Sequence, residues 1–419
     1  MTIRKTSTWQ TPLFADAIEF CPINGFHDIF AVGTYQLQEE QVRHEETANE
    51  STDEKAVTNA ESTDKREEVQ VRDGAIHLRK TVREADSEWS STEVHSTATS
   101  GGVLDMKWFH EPINSSPMMA VATSTGIVSL LQVRSRPDTA SSQHTTLEQS
   151  TTVSNPLSEQ FSVPPLALSL SLSQTATATP SIATCYSSGH LAVLTVTPTS
   201  LNPVRVWKAH ELETWCVSFG TDDGGINTVL SGADDALIKM WDVREGSSRP
   251  LVTVECHSSG VTSISPYPNL PYFLSTSYDQ HVMLHDVRVL GTSGPRARAK
   301  SVVCDLDMSN LRDGTRDDEV GAWRSRWHPT AYSGHGGALK GLAALALMRG
   351  GWSVVDVDVL EGKARELCRW GALEEVEGSE RRLAYGVDWS WDDRSWDGKV
   401  GVVGACSFYD RTGDLVLVG

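Results

Sequence analysis

His210, Ser231 and Asp235 are the residue types of a hydrolase triad, in which a base-activated hydroxyl attacks an ester or amide carbon. The local patterns that usually position such groups are missing. The chain has no G-x-S-x-G turn, no G-x-x-x-x-G-K-[ST], no H-E-x-x-H and no calcium-loop spacing. A GHGG run at 334–337 has the composition of an oxyanion-hole loop, but without a nucleophile elbow it reads as a flexible connection. The seven cysteines, Cys21, Cys185, Cys216, Cys256, Cys304, Cys368 and Cys406, are scattered, with no CxxC and no cysteine–histidine pair at ligand spacing. Reduced, buried thiols and no metal or other cofactor are therefore expected.

The elements around the triad explain it differently. Residues 209–244 and 256–288 share one grammar: a histidine, two apolar strands, a tight Asp turn and a closing x-D-V-R. Ser231 and Ser275, Asp235 and Asp279, and Asp242 and Asp286 are each 44 residues apart. This period resembles the WD40 repeat, of four strands per blade. In such a repeat His210, Ser231, Asp235 and Trp241 match a structural tetrad, whose hydrogen bonds tie one blade together.

The same strand-turn-strand grammar recurs more weakly at 15–37, 101–133, 165–207, 321–358 and 383–419, which makes seven blades. The expected fold is an all-β, seven-bladed WD40 β-propeller occupying residues 1–419 as a single domain. The last repeat has only three strands, and the orphan segment RKTSTWQTP near the start is expected to supply the fourth, closing the ring and removing an open edge. Residues 38–75, 134–160 and 289–320 are polar insertions, expected to be disordered because they bury too little apolar surface to offset ordering.

The net charge of −19 argues against nucleic-acid binding. Much of it is local, since residues 38–70 hold eleven acids against four bases. No run of eighteen apolar residues marks a membrane span, and the N-terminus lacks the apolar region of a secretory signal. A monomer in the cytosol, with the nucleus also open to it, is the expectation.

Several strings go beyond generic repeat grammar: ADAIEFCP and GTYQL in the first blade, WKAHELETW at the fourth, GAWRSRWHP opening the sixth, and LAYGVDWSW with ACSFYD in the seventh. Together they resemble the diphthine methylesterase family of diphthamide biosynthesis. The resemblance implies hydrolysis of the methyl ester of methylated diphthine on elongation factor 2. Three features depart from the family pattern: His285 stands where a Trp ends the repeat, Arg349 lies in a loop where a histidine is usual, and the last repeat reads LVLVG where Leu-Trp is usual.

On the propeller face that carries the turns between second and third strands and the starts of the blades, Tyr35, Tyr278, Trp323, Tyr385 and Tyr409 should converge with Arg349, Asp16 and Glu213. Methylated diphthine carries a trimethylammonium beside its ester, and aromatic faces attract such a cation by about 0.5 to 2 kcal/mol each. These residues are thus expected to form a substrate-binding cage, with Glu213 or Asp16 adding negative charge. For the group that activates water, Glu213, His190 and Asp388 are the candidates. A competing reading is a non-catalytic scaffold. Trp241-Asp242-Val243-Arg244, echoed by His285-Asp286-Val287-Arg288, resembles the WDxR box of cullin-RING ligase substrate receptors, which implies a ubiquitin-ligase adaptor as partner.

Overall fold

The computed structural model describes residues 1–38, 70–84, 88–137, 143–175, 178–197, 200–220, 227–246, 248–268, 270–290, 296–297, 301–310, 320–332, 340–371, 383–392 and 401–419. They form seven sheets, six of four strands and one of five, arranged as the blades of a propeller. The strands nearest the axis are Phe14–Phe20, Val103–Trp108, Ala167–Thr175, Thr214–Phe219, Val261–Pro266, Arg324–Trp327 and Ala384–Trp389, one per blade. Among the described residues no helix is long and apolar enough to cross a membrane.

The core lies between blades. One apolar cluster joins Ala17 and Ile29 of the first blade to Val103 and Met119 of the second; another joins Leu274 of the fifth to Leu345 of the sixth. A repeating hydrogen bond supplements this packing. At the end of the innermost strand, the indoles of Trp108, Trp327 and Trp389 donate to the preceding blade at Glu19 O, Ser265 O and Arg326 O, at 3.0 to 3.1 Å. The Trp that recurs in the strings MKW, SRW and VDW is thus a fastener between neighbours.

The two clear repeats are the fourth and fifth blades, and their tetrads are formed. In the fourth, His210 Nδ1 lies 2.9 Å from Asp235 Oδ2, His210 Nε2 2.8 Å from Ser231 Oγ, and Trp241 Nε1 donates to the same Oγ at 2.9 Å. In the fifth, His285 replaces the Trp and keeps its bond, with Nε2 2.8 Å from Ser275 Oγ and the ring stacked on Phe273 at 4.5 Å. Ser231 and Ser275 are fully buried, so neither can reach a substrate as a nucleophile.

Ring closure follows the expected route. Ile3–Gln10 pairs antiparallel with Thr412–Val418 and completes the seventh blade.

Each of the three expected insertions contains an ordered strand and so departs in part from expectation. Gln143–Val153 is the outer strand of the second blade, paired along Val128–Pro137, and Val302–Asp307 is the outer strand of the fifth, paired with His281–Asp286. An outermost strand has one edge in water, so a Thr-rich sequence suffices once a residue such as Leu147 is anchored in the core. Arg72–Arg83 likewise begins a strand inside the first expected insertion. The rest of that segment, 39–69, lies outside the described residues, as does GHGG at 334–337.

Candidate active site in the central channel

A register shift interrupts six of the innermost strands near their start: between Ala15 and Ala17, Val103 and Asp105, Ala167 and Ser169, Thr214 and Cys216, Val261 and Ser263, and Ala384 and Gly386. Such a bulge leaves one residue unpaired and re-aims its side chain. The residues so placed are Asp16, Leu104, Leu168, Trp215, Thr262 and Tyr385, and all of them line one channel of about 970 Å³. In the sixth blade Trp323 precedes the paired strand, binds Ala346 O through its backbone N–H at 2.8 Å, and lines the channel at the corresponding point.

Three members of this ring are aromatic and they touch. Trp215 and Trp323 meet edge to face at 5.8 Å; Trp323 and Tyr385 lie 4.9 Å apart. Tyr278 fills the gap, 6.2 Å from Trp215 and 5.9 Å from Trp323. Two acids border this group. The Trp215 indole donates to Asp234 Oδ1 at 3.3 Å, and the carboxyl of Glu213, exposed at the rim, is raised by partial burial and by Asp234.

Deeper in the channel, one side carries charge. Arg324 Nη1 binds Asp105 Oδ1 at 2.9 Å, and Arg326 Nη2 binds Glu19 Oε1 at 2.6 Å, which also accepts from Lys107 Nζ. Burial alone would raise Asp105, but Lys107, Arg324 and Arg326 outweigh it and hold the carboxyl below its ordinary range. Asp388 accepts from Phe20 N at 2.7 Å, and burial together with Glu19 pushes it up. Asp16 is pushed up to about 7 by burial, against the pull of Arg324. The opposite wall is neutral, with Ser169, Ser171, Ser218, Ser263 and Ser265.

Of the residues expected at the site, Tyr278, Trp323 and Tyr385 come together, while Tyr35 joins Tyr385 through Phe408, at 5.0 and 5.1 Å. Asp16, Glu213 and Asp388 also line the channel. Tyr409 and Arg349 do not. They border a smaller neighbouring hollow of about 420 Å³, shared with Tyr278 and Tyr385. His190 is displaced furthest from expectation: it packs on Phe161 at 5.7 Å, with Nδ1 3.0 Å from Ser188 Oγ, and does not line the channel. It starts the third strand of its blade, paired with Lys208.

Trp215, Glu19, Asp105, Lys107, Arg324 and Arg326 also line the channel, beyond the residues expected from sequence. The signal was present in Trp215, Arg324 and Arg326, which stand within the family-like strings HELETW and WRSRW. A separate grouping, Cys256, His257 and His285, brings three ligand-type atoms within 4.8 Å. Ser275 Oγ already lies between the two imidazoles, 2.7 Å from His257 Nε2 and 2.8 Å from His285 Nε2, and burial pushes the thiol up to about 12. These atoms serve the tetrad.

The sheets, the tetrads and the closed ring define a seven-bladed propeller of WD40 repeats. The family model described as "WD domain, G-beta repeat" matches residues 201–242 and 248–286. A chain from the crystal structure of the mitotic checkpoint complex superposes with a TM-score of 0.57 at 13% identity, covering 99% of this chain and 91% of that one, which shows the fold alone. Human diphthine methyltransferase is 30% identical over 394 residues, 92% of this chain and 74% of the relative. The chain belongs to the diphthine methyltransferase family. A shorter likeness, 36% identical over 83 residues, links it to a DDB1- and CUL4-associated factor 11 homolog of Caenorhabditis elegans, covering 19% of this chain and 14% of that protein.

Proposed function

We propose that the protein hydrolyses the methyl ester of methylated diphthine on elongation factor 2, releasing methanol and leaving diphthine. The observation that carries this reading is the run of Trp215, Tyr278, Trp323 and Tyr385 at the channel mouth, flanked by Glu213 and Asp234. Aromatic faces with nearby carboxylates hold a quaternary ammonium without needing a hydrogen bond, which that group cannot make. The substrate's trimethylammonium enters this cage and its ester, attached close by, reaches the acids of the channel wall. The relatives are named for methyl transfer, whereas here the ester's acyl group passes to water. Incubating the protein with elongation factor 2 that carries methylated diphthine, with no methyl donor and no added metal, tests it through loss of the methyl group by mass and release of methanol.

A second reading has its own observation. Arg244 and Arg288, on consecutive blades and 66% and 62% exposed, are each clamped by the aspartate two residues earlier, at 2.6 and 2.7 Å. Such a pair of presented guanidinium groups suits docking to a ligase adaptor. Co-purification of that adaptor without ester hydrolysis would favour this scaffold role over the enzyme.

A further inference from the structure

We propose that Asp16 is the general base of this hydrolysis, taking a proton from a channel water as that water attacks the ester carbonyl. The proposal rests on the hydrolase reading above and names the residue that does its chemistry.

Among the described residues four buried acids line the channel, and three of them have other tasks. Glu19 binds both Lys107 and Arg326. Asp105 binds Lys107 at 3.0 Å and Arg324, and accepts Leu170 N at 2.8 Å, tying the second blade to the third. Asp388 ties the seventh blade to the first through Phe20 N, and Ser171 does the same between the third and fourth by accepting Phe219 N at 3.0 Å. Those side chains are straps. Asp16 straps nothing. It is 4% exposed, borders the channel, and among the described residues has no hydrogen-bond partner, only Arg324 at 3.7 Å. A buried carboxylate in that condition costs stability, and a fold that keeps one there invites a functional explanation.

Its place in the ring strengthens the point. The equivalent positions around the mouth hold Leu104, Leu168, Trp215, Thr262, Trp323 and Tyr385, so Asp16 is the one acid among the seven. In ring order it follows Tyr385, at the end of the aromatic arc. An ester whose ammonium sits between Trp215 and Trp323 therefore extends toward Tyr385 and Asp16. The groups facing Asp16 are Arg324 from the sixth blade, Asp105 from the second, Tyr35 from its own, and Tyr385 and the Cys406 thiol from the seventh. Arg324 is held by Asp105 and by Leu104 O at 2.9 Å, so it stands beside Asp16 without quenching it.

The hydrolysis consumes only water. The Asp16 carboxylate removes one proton from water as the water oxygen bonds to the carbonyl carbon and the carbonyl π pair moves to oxygen. When that pair returns, the carbon–methoxy bond breaks and the methoxide takes the proton back from Asp16. Methanol and the free acid leave, the acid ionises in solvent, and Asp16 is again ionised.

The test is steady-state hydrolysis of elongation factor 2 carrying methylated diphthine, by wild type, Asp16→Asn and Asp16→Glu, from pH 5 to pH 9. The wild-type kcat should rise with pH and level off above about 7, where Asp16 is ionised. Asp16→Asn should lower kcat at least 100-fold with KM within about threefold, and should lose that rising limb; Asp16→Glu should recover part of the rate. If Asp16→Asn instead raises KM and keeps kcat, Asp16 is only a counter-charge and the proposal fails. Should Asp16→Asn not fold, a wild-type profile flat between pH 6 and pH 8 overturns it equally. Wild type with no hydrolysis at all removes the hydrolase reading itself, a distinguishable result.

Discussion

Trp215 and Trp323 meet edge to face at 5.8 Å across the channel mouth, although they belong to the fourth and sixth blades. The fifth blade contributes only Thr262 at the equivalent position, small enough to let the two indoles approach. If this contact frames a cation site, Trp215→Ala and Trp323→Ala should each raise KM for the methylated substrate by roughly 2- to 30-fold with a smaller effect on kcat, in line with about 0.5 to 2 kcal/mol per aromatic face. Phenylalanine at either position should restore most of the affinity. Unchanged KM in both alanine variants would remove the cage.

Glu19 balances two cations at once, Lys107 and Arg326. Removing its charge leaves two half-buried cations without their shared acid, although Lys107 keeps Asp105. Glu19→Gln should therefore cost about 3 to 5 kcal/mol in urea unfolding, the usual consequence of breaking a buried ion pair from one side. A loss below about 1 kcal/mol would mean that the channel is wet enough to screen them.

His285 makes the fifth blade sensitive to acid. Burial, and next the nearby His257, lower His285 from 6.5 to about 3. The unfolded chain therefore takes up a proton before the folded one does, so this contribution to stability is complete above pH 6.5 and is lost as pH falls toward 3, by up to about 1.4 kcal/mol per pH unit. His285→Gln keeps a donor for Ser275 Oγ but does not titrate. Between pH 7.5 and pH 4.5 the variant should lose roughly 2 to 3 kcal/mol less stability than wild type, measured by denaturant unfolding at both values. Equal losses would show that His285 does not carry the effect.

Closure depends on the N-terminal strand. Trp9 lies over Gly413, where an added Cβ would come within 2.2 Å of the indole. Deleting residues 1–10 exposes the edge of Thr412–Val418, and should lower the melting temperature and raise light scattering on standing. Gly413→Val should weaken the same closure through steric displacement of Trp9. A truncated chain that melts and scatters like the full one would show that the ring does not need this strand.

Much of the architecture is legible in the sequence because repeats announce themselves. The 44-residue spacing that relates Ser231 to Ser275 fixes the blade, the tetrad turns an apparent triad into a scaffold, and a three-stranded last repeat calls for a partner at the other end. Strands such as Gln143–Val153 are harder to read, because an outer strand needs little apolar patterning. The site is legible by residue type and not by direction. Asp16, Tyr278, Trp323 and Tyr385 follow from face and turn, whereas Trp215 owes its aim to a bulge, which shifts register by one residue and leaves no mark in composition. The pairing of Arg324 with Asp105 and of Arg326 with Glu19 is set by ring closure, so it belongs to no single repeat.

Ester hydrolysis can be followed directly by mixing the purified protein with elongation factor 2 that bears methylated diphthine and weighing the modified histidine peptide over time. The methyl ester should be converted to the free acid, with one methanol released per ester, in the absence of any methyl donor. A peptide mass that stays unchanged while the protein is folded and in excess would contradict it.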